Sequence, residues 1–213
     1  NQALVNFLIP IVKGWNTEQA NEITSLGVQV HGGMGFIEET GAAQYYRDAR
    51  ITAIYEGTTG IQALDLIGRK LASEKGVTAA AVLAEVKATV AKLAAAGSDF
   101  ASLKANLEAG IEQAEACVNF VLKTFGTQPR LPAAGSVPFL KLMGILLGGW
   151  QLARGALIAQ AKLGEDGADT DFYTAKIITA RFYGEHLLPQ ISGLAVAILG
   201  GAESVLALDE AQF

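Results

Sequence analysis

The chain has 213 residues, 51% hydrophobic and 17% charged, a balance that excludes a disordered polymer and suffices for one large helical core or two smaller ones. A formal charge of −5, with no local cluster of Lys and Arg, excludes a broad nucleic-acid footprint. The single cysteine, Cys117, lies in an apolar run and excludes an internal disulfide and a multi-cysteine metal site, so a reducing, cytoplasmic setting is expected.

The opening NQALVNFLIP has no initiator methionine, charged leader or cleavage site, as expected of a piece of a longer polypeptide. Apolar residues recur at helical spacing nearly throughout, which predicts an all-α, antiparallel helical bundle. Val12, Trp15, Ile23, Leu26 and Val30 mark a first helix that ends at Gly32-Gly33, followed by the loop GGMGFIEETG. A short helix over AAQYYRDAR leads into the turn IYEGT. A helix then begins near Thr58, with Thr58 or Thr59 as N-cap and Ile61, Leu64, Ile67 and Leu71 along one face.

The composition shifts at SEKG, residues 73–76, which places a boundary between a first segment, 1–75, and a second, 76–213. Val82, Val86, Val90 and Leu93 predict an Ala-rich helix. Leu103, Leu107, Ile111, Val118 and Phe125 predict a longer one, capped by Ser98 or Asp99 and stopped at Gly126. QPRLPAAGS is expected to be a loop, 137–163 an apolar helix ending at Gly164, EDGADTD a turn, and 170 onward a helix bent or ended by Pro189. VPFLKLMGILLGGW, interrupted by Lys141, is shorter than the ~20 apolar residues a bilayer requires and is expected to be a buried helix rather than a membrane span.

Two motifs bear on chemistry. In QVHGGMGF, residues 29–36, glycines at a helix end permit close backbone approach to a pyrophosphate or flat cofactor edge, although such clusters are commonly plain helix stops. No strand precedes it, which disfavours a dinucleotide-binding fold. In IYEGTTGIQ, Ile54 and Tyr55 flank Glu56, and desolvation by them would raise its carboxyl from about 4.3 toward the range of a general base for a weakly acidic C–H. From spacing alone Glu56 could equally cap or ion-pair the following helix.

Taken together, QVHGGMGFIEE, the Arg47-Asp48 pair and IYEGTTGIQ resemble the C-terminal helical domain of the flavin-dependent acyl-CoA dehydrogenases, densely over residues 20–72. Gln29, Gly32, Gly33, Gly35, Phe36, Glu39 and Asp48 fit the family pattern. Gln44 departs from the usual Lys or Arg. Residues 76–213 resemble, more loosely, an extra helical domain appended in a subset of the family.

The resemblance implies that Glu56 is the catalytic base, taking the α proton of an acyl-CoA thioester while the β hydrogen leaves as hydride to FAD, giving a trans-2-enoyl-CoA. It implies that the backbone N–H of Glu56 helps to hold the thioester carbonyl, that Tyr55 and Gly57 border the substrate, and that Thr58 and Gly60 approach the flavin. Gln29, Val30, His31, Gly32 and Gly33 would reach the adenine and pyrophosphate of a flavin held mainly by a neighbouring subunit. A homo-oligomer, dimer or tetramer, follows, with an electron-transferring flavoprotein as acceptor. Arg69 would approach coenzyme A or simply lie on the surface.

His31 is expected to make a loop or flavin-edge contact rather than bind metal, His186 to be packed or exposed, Trp15 and Trp150 to anchor the core, and Cys117 to act as a small buried hydrophobe. The competing readings are an acyl-CoA oxidase, a helical interaction module without activity, and a DNA-binding branch of the family, which the acidic balance disfavours. The fragment alone is expected to be inactive.

Overall fold

In the computed structural model, which describes residues 2–212, the chain is helical from its first described residue, and no strand occurs among those residues. Helix α1 (Gln2–Val30) turns Phe7, Pro10, Ile11 and Gly14 inward at three- and four-residue intervals, the spacing of a single helix face. Val12, Ile23, Leu26 and Val30 are exposed, so the apolar periodicity of α1 contains two stripes and only one of them meets the core. The expected loop GGMGFIEETG is instead wound into α2 (Gly33–Phe36) and a 3₁₀ turn, Glu38–Thr40. Thr40 donates its hydroxyl to the Met34 carbonyl at 2.7 Å and so closes the segment on itself.

Helix α3 (Ala42–Arg50) and a second 3₁₀ turn, Ile51–Ala53, lead to the IYEGT turn. Helix α4 (Thr59–Asp65) is capped by Thr58, whose Oγ1 accepts from the Ile61 N–H at 3.4 Å. It runs on through Leu66–Ala72 in wider π geometry. Ile67 and Leu71 are buried, whereas Ile61 and Leu64 face outward.

In α5 (Val77–Ala96), Val82, Val86, Val90 and Leu93 are all buried, as the spacing requires. Helix α6 (Ala101–Thr124) buries Leu103, Leu107, Ile111 and Val118, but neither Ser98 nor Asp99 caps it. A 3₁₀ turn over those residues, pinned by the fully buried Phe100, starts the helix in place of a side-chain cap. QPRLPAAGS is likewise not an open loop. It contains α7 (Arg130–Ala134), held by the buried Pro132.

Helix α8 (Ser136–Leu163) ends at Gly164, and Asp169 caps α9 (Thr170–His186) by accepting from the Phe172 N–H at 3.0 Å. The chain breaks at 187–189 and restarts at Pro189 as α10 (Gln190–Gly200), followed by α11 (Ala202–Val205). A proline suits the start of a helix, where its missing N–H costs nothing.

The core is built around α8, which packs against α1, α4, α5, α6, α9 and α10. By length and composition α8 could cross a bilayer, yet Phe139, Leu140, Leu142, Met143, Ile145 and Leu146 are all buried in protein. One hydrophobic cluster runs from Phe7 and Leu66 through Val86 and Leu107 to Ile198, so helices on both sides of residues 73–76 share a core. The α1–α8 crossing is reciprocal. A Cβ on Gly14 would fall 2.7 Å from Leu140 Cδ1, and one on Gly144 would fall 2.3 Å from Trp15 Cγ.

Both tryptophans pack on the edge of the cluster, and Trp150 also donates its Nε1–H to Thr89 Oγ1 at 2.8 Å, tying α8 to α5. Burial pushes the Cys117 thiol up to about 11, which leaves it an unreactive apolar filler. Because no side chain fits between Trp15 and α8, Gly144→Leu should destabilise the protein by about 1–3 kcal/mol through overpacking, read as a lower urea midpoint.

Candidate active site

The IYEGT turn takes its shape from backbone conformation. Glu56 has φ +53° and Gly57 φ +95°, two successive residues in a region that a side chain disfavours by roughly 1–2 kcal/mol. Tyr55 and Ile54 donate their N–H groups to the Ile51 carbonyl at 3.1 and 2.9 Å, closing the chain before the turn. On the far side Gln62 Nε2 donates to the Glu56 carbonyl at 3.4 Å. The reversal turns the Glu56 carboxylate to solvent, and among the described residues no cation lies within salt-bridge distance of it. The N–H groups of Glu56, Gly57 and Thr58 likewise find no acceptor among the described residues.

This geometry corrects one expectation. Ile54 and Tyr55 do not dry Glu56, because they are themselves 47% and 48% exposed and Glu56 is exposed between them. Within this chain Tyr55 packs instead beneath a cation, with Lys13 Nζ 5.3 Å from its ring centroid. The alternative in which Glu56 caps or ion-pairs the following helix fails as well, since Thr58 supplies the cap and no cation among the described residues reaches the carboxylate.

Two residues of α1 that nothing in the residue pattern singles out reach the turn. Lys13 Nζ donates to the Thr52 carbonyl at 2.5 Å, and Glu18 accepts from the Thr59 hydroxyl. Lysine and glutamate on a long helix ordinarily read as solvated surface, and only the fold shows that they flank the same turn.

The glycine turn lies at the other end of α1. Gly32 has φ +59°, and a Cβ on Gly35 would fall 2.2 Å from the Val28 carbonyl, so both glycines are required by the chain's own backbone. Gly33 is open, with nothing within 4 Å of where a Cβ would stand. Gln29, Val30, His31, Gly32 and Gly33 are all exposed, and His31 donates Nδ1–H to the Gly27 carbonyl at 2.9 Å, leaving Nε2 outward. An exposed glycine backbone beside an outward imidazole fits the edge of a flat, anionic cofactor. Among the described residues no cluster of three His, Cys, Asp or Glu could hold a metal.

From Glu18, which meets Thr59, to Val30 is about 18 Å along α1, so the glycine turn and the Glu56 turn lie apart along the helix. Arg69, largely exposed, pairs with the mostly buried Asp65 one helix turn back. Arg47 lies 3.5 Å from Glu38 and ties α3 to the preceding turn without any contribution from Gln44. His186 stacks on Phe182 with ring centroids 4.5 Å apart, at a solvent-exposed position.

The family model described as "Acyl-CoA dehydrogenase, C-terminal domain" matches residues 2–72, and that described as "Acetyl-CoA dehydrogenase C-terminal like" matches residues 82–209. The chain belongs to the acyl-CoA dehydrogenase family. It is 46% identical over 96% of its length to a 3-methylmercaptopropionyl-CoA dehydrogenase of Ruegeria pomeroyi, covering 35% of that protein. It is 34% identical over 98% of its length to a broad-specificity linear acyl-CoA dehydrogenase of Mycobacterium tuberculosis, again covering 35%. Over a stretch of 57 residues, 27% of the chain and 14% of the relative, it is 51% identical to the mitochondrial short-chain specific acyl-CoA dehydrogenase of Rattus norvegicus. The chain thus spans about a third of the first two relatives' length. The all-α architecture is that of an acyl-CoA dehydrogenase C-terminal region.

The turn that holds Glu56 depends on Gly57. Gly57→Ala forces a Cβ to φ +95° and to 2.7 Å from Gln62 Nε2. A loss of about 1–3 kcal/mol is expected, measured by chemical unfolding, because Gln62 can swing aside but the strain of a side chain at that φ has no local remedy.

Proposed function

We propose that this chain supplies the catalytic base and part of the cofactor surface of an FAD-dependent acyl-CoA dehydrogenase, acting in the full-length protein. The observation that supports it best is the Glu56 turn: a carboxylate without a cation partner, beside an N–H without an acceptor, among the described residues, on backbone held at positive φ. A residue kept in a disfavoured conformation at a surface where nothing in the chain uses its charge is accounted for by a role outside the chain.

In this reading the Glu56 carboxylate removes the proton from the carbon next to the thioester carbonyl. As that C–H bond breaks, negative charge grows on the carbonyl oxygen, and the unpaired Glu56 N–H is available to donate to it. FAD, when bound, supplies the two-electron acceptor for the hydride that leaves the β carbon, and the α,β double bond remains in the product. Gly57 adds no side chain beside the carboxylate, and Tyr55 offers a ring edge to the acyl chain. Thr58 and Gly60, at the start of α4, border the flavin side of the turn.

Drying of Glu56 must come from surfaces outside this chain, since its own neighbours leave it in water. The exposed glycine turn, distant from Glu56 along α1, is read as contributing to the flavin of a neighbouring subunit, which makes the enzyme a homo-oligomer. An electron-transferring flavoprotein is the proposed acceptor.

In the full-length enzyme Glu56→Gln should retain flavin and bind acyl-CoA but lose dehydrogenation by about 10² to 10⁴-fold, the range a positioned general base provides. Near-normal turnover would mean that another group takes the proton. The 213-residue chain alone is expected to purify colourless. A flavin absorbance band in that preparation would show a complete cofactor site within it and contradict the shared-site reading.

A further inference from the structure

We propose that Lys13 is the positioning residue for the base, resting on the assignment of Glu56 above: from α1 it holds the chain leading into the strained turn, and so sets where the Glu56 carboxylate points. Lys13 is half-buried, and among the described residues no carboxylate lies within salt-bridge distance of it. A partly desolvated ammonium needs donors to be matched by acceptors, and here the acceptor is the Thr52 carbonyl at 2.5 Å, thirty-nine residues away in sequence. The same ammonium stands 5.3 Å from the Tyr55 ring centroid, within the range of a cation–π contact. One side chain therefore contacts the chain on both sides of Ile54, immediately before Glu56.

The turn needs such a holder. The αL conformation at Glu56 is disfavoured, Gly57 permits almost any φ, and the three N–H groups from Glu56 to Thr58 make no bond within the described chain. Left to itself, the segment would relax toward negative φ and swing the carboxylate away. The bonds that oppose this lie at the margins: Lys13 to Thr52 on the entering side, Glu18 to Thr59 and Gln62 to the Glu56 carbonyl on the leaving side.

Lys13 is the more consequential of the two α1 contacts because it is the less exposed. It also engages a backbone oxygen, which cannot rotate away as a threonine hydroxyl can. Its neighbours in sequence, Gly14 and Trp15, are locked against α8, so the base of the lysine stem is fixed to the core.

The test uses the full-length flavoenzyme. Lys13→Met keeps an apolar stem and removes the ammonium, and Lys13→Arg keeps a donor for the carbonyl and a cation over the ring. Lys13→Met should hold its flavin content and unfolding midpoint, keep KM within twofold, and lose at least tenfold in kcat. Lys13→Arg should recover most of that loss. Hydrogen exchange should quicken in Lys13→Met at the Ile54 and Tyr55 amides, whose bonds to Ile51 depend on the turn staying closed, with or without substrate.

Placed in a Glu56→Gln background, Lys13→Met should cost nothing further, since the two act through one group. Turnover within twofold of the parent in Lys13→Met, an equal loss in KM, or loss of flavin would overturn the positioning role. If Glu56→Gln itself stays active, the assignment of the base fails. If Glu56→Gln is inactive and Lys13→Met is normal, only the clamp fails.

Discussion

The approach of α1 to α8 at Gly14, Trp15, Leu140 and Gly144 is the contact on which the rest of the arrangement rests. Each helix offers a glycine to receive a large side chain of the other, Leu140 over Gly14 and Trp15 over Gly144. Knob and hole on both sides fix the two helices in register along their axes as well as in distance, which a single large residue on a smooth surface would not do. Since α8 is also the centre of the common core, α1 inherits a fixed position relative to every other long helix.

That fixed position is what lets α1 hold the Glu56 turn at one place and end in the glycine turn at another. Lys13 and Glu18 bracket the locked pair Gly14-Trp15, so both reach the Glu56 turn from a segment of helix that cannot shift without disturbing the core. Farther on, where α1 passes beyond the core, its buried face runs out after Gly14 and the helix ends at the exposed glycine turn. The rigid part of the beam thus holds the Glu56 turn, and its far end leaves His31, Gly32 and Gly33 exposed.

Much of this was legible in the residues. The spacing of Val82, Val86, Val90 and Leu93 and the stop at Gly164 located helices because burial and chain termination follow local rules. The turn around Glu56 was recognisable from its residue order, and Thr58 from its hydroxyl. Ile54 and Tyr55 leave Glu56 in water despite flanking it, because adjacency in sequence says nothing about which side of a turn the solvent occupies once φ becomes positive. The caps expected at Ser98 or Asp99 failed for a related reason: a buried Phe100 can start a helix by packing, and propensity does not record what a ring will find beneath it. Lys13 was invisible in principle, since its partner is a main-chain oxygen and every residue has one.

The second apolar stripe of α1 bears on how the site is completed. Ile23 and Leu26, at 63% and 56% exposure, lie on the half of α1 that projects past the core, and Val30 and Phe36, at 85% and 81%, continue the surface to the glycine turn. Isolated exposed apolar residues are ordinary, but several at helical spacing on one segment form a face, and a face of that kind is stable in water only when something covers it. The Glu56 turn has the complementary deficiency: its polar groups are available and its surroundings too wet for base chemistry on a C–H bond. Further protein surface seated along α1 would bury the first, and surface reaching the turn would dehydrate the second. On the proposed reading of Glu56, assembly and drying would be coupled through α1, whose Lys13 and Glu18 hold the two sides of the turn.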